Sequence, residues 1–244
     1  MGMKNWVWLI FVMTGCTSVY VPNSRNSPLF TKAGEVQAAV GFGNGLDVQG
    51  AVAVTNHIGL MANYNYLDLR SSQYSSKPSD EDYNYHNFFE AGLGYYENQD
   101  KWCYEIFAGY GRGEGASYDN YMWWGDQSVK ATGRYDRIFI QPAFGVNKKR
   151  FHFSFVPRIS IVDFKEFESD GTTFAIDDNP KVFLEPAVIG RMNLMNNRCF
   201  FGFQMGFSVP ISGDVFYEYR PAQFSLGLGF RFGGVRPESV QSVE

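Results

Sequence analysis

The stretch Cys199–Val209, CFFGFQMGFSV, alternates between two kinds of side chain along its whole length. Every second residue is large and apolar, whereas the residues between them are small or polar. This alternation predicts a β-strand, because successive side chains of a strand point to opposite faces. The bulky set is Phe201, Phe203, Met205, Phe207 and Val209, and the slim set is Gly202, Gln204, Gly206 and Ser208.

The composition is rich in the residues that such strands use. The 244 residues include 23 Phe, 15 Tyr and 26 Gly, and the formal net charge is −4. The length suits one large domain or two small ones. No block of like charge suggests a nucleic-acid arm, and the acidic balance argues against a polyanionic partner. We therefore expect no nucleic-acid binding.

The alternation of the opening stretch recurs from Gly34 to Phe232, and no convincing amphipathic helix interrupts it. Short, Asn-rich connections alternate with longer ones (69–84, 113–133, 166–180 and 211–220). Short turns at one end and long loops at the other are typical of outer-membrane barrels. The predicted strands are 35–42, 46–54, 57–66, 87–96, 102–111, 137–146, 151–161, 182–194, 199–209 and 223–232.

The two faces of these strands favour a membrane barrel over a soluble sandwich or a lipocalin-like barrel. The slim face contains Gly, Ala, Gln and Asn but almost no Lys, which indicates a confined interior. The bulky face would expose a very large hydrophobic patch to water, which would favour aggregation. We therefore predict an all-β fold, a closed antiparallel up-and-down transmembrane β-barrel of about ten strands (roughly eight to twelve). Tyr64, Tyr66, Tyr95, Tyr96, Trp102 and Tyr110 are predicted to form its aromatic girdles.

With this pattern, the chain from about Gly34 to Phe232 resembles bacterial outer-membrane β-barrel proteins, porins among them. The resemblance implies insertion in the outer membrane of the bacterial cell envelope, with outer-membrane lipid as the immediate partner.

The N-terminus has the layout of a secretory signal, with Lys4 before an apolar run from Trp6 to Met13 and a small residue, Gly15, before Cys16. The sequence MTGC resembles the lipobox of bacterial lipoproteins, and this resemblance implies acylation of Cys16. A plain signal peptide with an incidental cysteine is the alternative. The predicted organisation is a signal peptide (1–15), a lipidated tether (16–33), the barrel (34–233) and a polar tail (234–244).

Charged side chains on the slim face are predicted to point into the lumen. Buried charges are tolerated only when they are paired. One interpretation is a salt-bridge and hydrogen-bond network that fills a narrow lumen, and the other is a path for small solutes lined by these groups. The predicted inward set is Glu35, Asp47, Glu90, Glu105, Arg137, Arg158, Glu185, Arg191 and Arg231.

His152 and Ser154 are the best enzymatic candidates, since residues two apart on a strand share a face. They resemble the His-x-Ser pair of the lipid A 3-O-deacylases, which implies a membrane-embedded hydrolase. In that family the pair faces lipid, whereas Phe151, Phe153 and Phe155 take that face here. Asp177 and Asp178 are predicted to lie in a solvated turn. The alternative is a calcium site or a protease-like acidic pair, for which His86 is the nearest candidate histidine partner. No zinc spacing or nucleotide motif is present, so we expect no metal and no cofactor.

The loop residues Tyr121, Trp123 and Trp124 are candidates for a contact surface, because aromatic side chains supply binding area at low entropic cost. Self-packing of the loop is the alternative. The sequence favours a non-enzymatic barrel with a structural or accessory role, or one that binds other envelope proteins through its loops. A small-solute channel and a lipid A-type hydrolase are the competing hypotheses.

Overall fold

The computed structural model describes residues 18–71, 82–99, 102–119, 129–147, 150–174 and 180–233. These residues contain twelve strands, and no helix among them could cross a membrane. The strands are β1 (Val36–Phe42), β2 (Leu46–Ala53), β3 (Ile58–Ser71), β4 (Asp82–Gln99), β5 (Trp102–Asp119), β6 (Val129–Asn147), β7 (Phe151–Ser169), β8 (Thr172–Thr173), β9 (Lys181–Leu194), β10 (Cys199–Phe207), β11 (Val209–Pro210) and β12 (Ala222–Phe232).

Ten of these strands close into one antiparallel barrel. Neighbours along the chain pair with each other, β7 pairs with β9, and β12 pairs with β1, with Phe232 opposite Val36. The two-residue strands β8 and β11 pair only with the long-loop ends of β7 and β9, respectively. The prediction of a closed up-and-down barrel of about ten strands is confirmed. Closure leaves no unpaired sheet edge, which hydrocarbon could not hydrate.

The barrel has two distinct ends. The strand ends that flank 54–57, 100–101, 148–150 and 195–198 lie at one end, together with the start of β1 and the end of β12. We call this the short-turn end. The strand ends that flank 43–45, 72–81, 120–128, 170–180 and 208–221 lie at the other, the long-loop end. In outer-membrane barrels the short turns face the periplasm and the long loops face outward.

Side-chain parity separates an apolar outer surface from a polar interior. On β12, Phe224, Leu226, Leu228, Phe230 and Phe232 are exposed, whereas the residues between them point inward. The same division runs along β7, where Phe151, Phe153 and Phe155 are exposed. This outer surface is stable against acyl chains and would be unstable against water.

Charged residues mark where the apolar surface ends toward the long loops. Arg112, Asp136 and Asp163 are aligned in register on β5, β6 and β7, directly above Tyr110 and its apolar neighbours. From Trp102 to Tyr110, a strand rise of about 3.3 Å and a tilt of about 40° give a height of about 20 Å. That height is close to the apolar band of outer-membrane barrels, which is about 25 Å.

The aromatic girdle is predicted correctly except at one position. Tyr64, Tyr66, Tyr95, Trp102 and Tyr110 are exposed on the outer face. Tyr96 is instead fully buried, and its hydroxyl donates to the Thr55 carbonyl at 2.6 Å. Adjacent residues of a strand face opposite sides, so Tyr95 and Tyr96 cannot both belong to the girdle.

Strands β3 to β7 are longer than the sequence predicts. β5 continues to Asp119 and β6 begins at Val129, in a region predicted to be a loop. Beyond Arg112 the outward residues of β5 are Glu114, Ala116 and Tyr118, so the run of large apolar side chains stops while hydrogen bonding continues. The membrane-crossing pattern therefore predicts only the lipid-facing part of each strand.

Candidate functional site in the barrel lumen

All nine predicted inward charges are buried in the lumen. Four of them, on strands β4, β6, β7 and β9, form a central network. Arg158 Nε lies 2.7 Å from Glu185 Oε2, and Arg158 Nη1 lies 3.7 Å from Glu90 Oε1. Arg137 Nη2 donates to the same Glu90 carboxylate. Each cation in this network has at least one carboxylate within contact distance, as buried charges require.

The remaining predicted charges lie nearer the two ends. At the short-turn end, Arg231 Nε lies 3.1 Å from Glu35 Oε1. Arg191 Nη1 donates to Gln37 Oε1 at 3.1 Å. Toward the long-loop end, Asp47 accepts a hydrogen bond from Asn65 Nδ2 at 3.0 Å.

The chain's own N-terminal segment occupies the lumen. We define the lumen segment as residues 18–30, all of which are buried. The sequence predicts a tether over 16–33 outside the barrel. From residue 18 to residue 30 this stretch instead lies inside it, because its short polar side chains match the polar wall. Within the part of the chain that the structure describes, its one β-type contact is the isolated parallel bridge between Tyr20 and Tyr219.

The polar centre of the lumen segment is hydrogen-bonded to the wall residue by residue. Asn23 Nδ2 donates to Glu90 Oε1 at 2.8 Å, and Asn23 Oδ1 accepts from Arg137 Nη2 at 2.7 Å. Ser24 Oγ donates to Asp47 Oδ2 at 2.7 Å. Asn23 and Ser24 thus satisfy wall charges that would otherwise need water or another partner.

Arg25 is held through its backbone and its side chain. The Gln204 amide accepts from the Arg25 N–H at 2.8 Å and donates to the Arg25 carbonyl at 3.1 Å. The Arg25 guanidinium donates from Nη1 to Gln223 Oε1 at 2.7 Å and lies 3.9 Å from the Glu185 carboxylate. The side chain of Gln204 thereby makes the two backbone hydrogen bonds to Arg25 that a neighbouring β-strand would otherwise make.

The end of the lumen segment is held at the short-turn end. The Glu105 carboxylate accepts from the Ser27 hydroxyl and, at 2.9 Å, from the Leu29 N–H. The Phe30 ring packs against the Tyr96 ring, with centroids 5.2 Å apart. This packing explains why Tyr96 points inward.

Charge balance is the signal that could have revealed the lumen segment from the sequence. The predicted inward set contains five carboxylates (Glu35, Asp47, Glu90, Glu105 and Glu185) but only four arginines. Arg25 is buried to 1% exposure and brings the arginines to five. Among the described residues the buried carboxylates and arginines are thus equal in number, as a low-dielectric interior favours.

Inward-facing glycines make room for the segment. A Cβ placed on Gly115 would lie 2.1 Å from the Val19 carbonyl oxygen, and one on Gly145 would lie 2.8 Å from the Leu29 side chain. In contrast, a Cβ on Gly202, also on the slim face, would meet no atom closer than 3.8 Å. Some of these glycines are therefore required by the segment and others are not.

We predict that Gly115→Ala destabilises the barrel by about 1–3 kcal/mol, because the added methyl group meets backbone that cannot rotate away. The matched variant Gly202→Ala should change stability by less than about 0.5 kcal/mol. Urea-dependent unfolding in detergent micelles measures both. Equal stability of the two variants would contradict the placement of Val19 against β5.

An aromatic cluster closes the lumen at the long-loop end. The Tyr20 ring lies 5.3 Å from Tyr135 and 5.0 Å from Phe183, centroid to centroid. Tyr217, from the connection 208–221, packs 4.2 Å from Phe164. Burial raises the pKa of the Tyr217 phenol above its ordinary value.

The enzymatic candidates His152 and Ser154 also face the lumen, where both are buried. His152 Nε2 lies 2.6 Å from Asn193 Nδ2, and Ser154 is in register with Gly145. His86 is fully buried, and its Nδ1 and Nε2 contact Asn65 Oδ1 and the Tyr135 hydroxyl at 2.8 and 2.7 Å.

Several predicted residues lie outside the described ranges. These are the acylation candidate Cys16, the loop aromatics Tyr121, Trp123 and Trp124, the turn residues Asp177 and Asp178, the signal peptide (1–15) and the tail (234–244). Across the ranges that are described, no three His, Cys, Asp or Glu residues are grouped so that they could hold a metal ion.

No family model and no curated protein matches the sequence. Among solved structures, the translocator domain of autotransporter NalP from Neisseria meningitidis is 10% identical, with a TM-score of 0.47 over 81% of this chain and 86% of that chain. OmpT, an outer membrane protein of Vibrio cholerae, is 8% identical, with a TM-score of 0.25 over 86% of this chain and 100% of that chain. At these TM-scores neither likeness bears on what the lumen does.

The apolar outer surface of the barrel indicates the membrane in which the protein resides. A closed antiparallel barrel, with an apolar band of membrane height and a polar interior, is the transmembrane architecture of bacterial outer membranes. This chain is a protein of the bacterial outer membrane. Its contact with outer-membrane lipid follows from the exposed Phe, Leu, Ile and Val side chains around the band.

Proposed function

We propose that the protein is a sealed outer-membrane barrel with a structural or accessory role in the cell envelope. It would bind partners through its long loops and catalyse no reaction. The observation that carries this proposal is the lumen segment, which fills the interior of the barrel with its own backbone. Because Asn23, Ser24 and Arg25 hydrogen-bond to particular wall residues, the filling is a specific structure rather than a loose obstruction.

The competing channel hypothesis requires a continuous aqueous path between the two ends. Asn23, Ser24 and Arg25 hydrogen-bond to wall residues around the middle of the lumen, and the aromatic cluster around Tyr20 fills the long-loop end. The test is electrical. The wild-type protein, reconstituted in a planar lipid bilayer, should show no conductance above that of the bare bilayer, whereas a channel would show discrete current steps.

The absence of catalysis is part of the proposal and has its own support. His152 and Ser154 point into the lumen near the short-turn end, and the Leu29 side chain covers the adjacent Gly145. A membrane lipid contacts the opposite face of β7, where Phe151, Phe153 and Phe155 lie. A hydrolase acting on lipid would need its nucleophile on the lipid-facing side or in an open cleft.

We also propose that Cys16 is acylated, on the strength of the MTGC sequence after a signal-like apolar run. The Cys16→Ser variant should then lose incorporation of radiolabelled palmitate completely. Cys199→Ser is the matched control and should label as strongly as the wild type. Persistent labelling of the Cys16→Ser variant would exclude this modification.

Binding through the long loops rests on Tyr121, Trp123 and Trp124, which remain a prediction from the sequence. The partner class that this location favours is another protein of the cell envelope, since the long loops face away from the periplasm.

A further inference from the structure

The lumen segment runs through the barrel in one direction. The residue number along strand β5 gives the height of each contact in the barrel, because β5 begins at Trp102 on the short-turn end and ends at Asp119 on the long-loop end. Val19 lies against Gly115, Ser27 and Leu29 bind Glu105, and the Phe30 carbonyl lies 3.8 Å from the Cys103 sulfur. As the residue number in the lumen segment rises, the β5 residue that it contacts lies nearer to the short-turn end.

Strand β2 gives the same order independently. It begins at Leu46 on the long-loop end and ends at Ala53 on the short-turn end. Ser24 binds Asp47, Asn26 donates to the Gly50 carbonyl at 3.1 Å, and the Gly34 N–H donates to the Ala53 carbonyl at 2.8 Å. Two strands on different sides of the lumen segment therefore assign it the same direction.

The N-terminal end of the lumen segment is hydrogen-bonded to the connection 208–221. The backbone N–H groups of Val19 and Tyr20 both donate to the Glu218 carbonyl, at 3.0 and 3.2 Å. The Arg220 N–H donates back to the Tyr20 carbonyl at 3.0 Å. This connection belongs to the long-loop end, so Ser18 lies there as well.

We infer that the chain is threaded through its own barrel, so that its N-terminal end leaves at the cell surface and the end of β12 faces the periplasm. Residues 19–30 fill the lumen on the short-turn side of Ser18, and the cluster around Tyr20 packs against the beginning of the segment at the long-loop end. We therefore expect the chain before Ser18 to continue toward the long-loop end.

This inference also specifies the proposed acylation, and that part rests on the proposed function. Cys16 precedes Ser18 by two residues, which span at most about 7 Å. An acyl group on Cys16 would therefore be attached toward the long-loop end, on the side of the outer leaflet. Acyl chains in the inner leaflet would need the opposite threading.

Epitope tags at three sites test the threading in intact cells of a Gram-negative host. One tag is inserted between Thr17 and Ser18, one at the exposed Gly171 in connection 170–180, and one after Gly233. We expect antibody to reach the first two on intact cells and the third only after the outer membrane is permeabilised. The Gly171 tag reports which side the long loops face, so the comparison does not depend on an assumed orientation.

The threading is overturned if the tag before Ser18 behaves like the tag after Gly233. Heat-dependent mobility on cold gels verifies that each tagged barrel is folded. If the tag before Ser18 prevents folding, Thr17→Cys in a Cys199→Ser background replaces it, read out by a membrane-impermeant maleimide with and without permeabilisation. Palmitate labelling of the same samples is scored separately, so loss of acylation with retained surface exposure removes only the lipid proposal.

Discussion

Deletion of residues 20–30 is expected to turn the sealed barrel into an ion-conducting pore. The lumen segment contributes the atoms that occupy the centre of the barrel, and the wall beside it has glycines at 59, 115 and 145. Its removal leaves a polar interior lined by the predicted carboxylates and arginines, which water can fill. We expect discrete current steps in planar bilayers for the deletion variant and none for the wild type.

The ion selectivity of the deletion variant follows from the charged residues that remain in its lumen. Without Arg25, five carboxylates face four arginines, so the pore should prefer cations weakly. A barrel lacking only residues 234–244 is the matched control and should stay closed. A synthetic peptide of residues 18–31 should block the open variant. Equal conductance of the wild type and the deletion variant, or a folded deletion variant without conductance, would contradict a lumen closed by this segment.

Replacement of Glu185 by Leu is expected to cost about 3–5 kcal/mol of unfolding free energy, because removal of one partner leaves buried charge uncompensated. The carboxylate accepts from Arg158 Nε at 2.7 Å, from Tyr20 Oη at 2.8 Å and from Ser160 Oγ at 2.7 Å. Leu is somewhat larger than Glu and branched, so a packing cost adds to the loss of these contacts. It also removes one contact that fastens the lumen segment.

The matched control for Glu185→Leu is Glu166→Leu. Glu166 Oε2 lies 3.3 Å from Arg134 Nη1, but both side chains are mostly exposed, so the loss should be about 1 kcal/mol or less. Urea-dependent unfolding in lipid vesicles, followed by heat-dependent gel mobility, compares the two. If the two variants lose similar stability, the central network is not the buried electrostatic core described here.

The sequence predicts the wall of the barrel well, because each strand carries its own period-two signal. Phe203, Phe230 and their neighbours alternate locally, and no distant residue is needed to see it. The strand ends are less predictable. Beyond Arg112 and Asp136 both faces are polar or mixed, so the alternation that reports on lipid no longer distinguishes strand from loop.

The lumen segment could not be predicted in the same way. Residues 18–30 have no periodicity, and their partners are far away in sequence, as with Arg25 and Gln223 or Ser24 and Ser225. Two prolines and several Ser and Asn residues are equally typical of a solvated tether. Only the missing fifth cation in the predicted inward set pointed to a further charged residue inside.

An engineered disulfide between the lumen segment and the wall tests the central claim most directly. The Ser24 and Ser225 hydroxyl oxygens are 3.0 Å apart, so cysteines at these two positions are close enough to be bridged. In a background with Cys103→Ser and Cys199→Ser, non-reducing peptide mapping of the folded Ser24→Cys, Ser225→Cys variant should find the crosslinked peptides. Ser24→Cys with Ser154→Cys, whose wall residue lies toward the short-turn end, should stay uncrosslinked. Two cysteines at 24 and 225 that both remain open to alkylation in the folded barrel would show that the segment lies elsewhere.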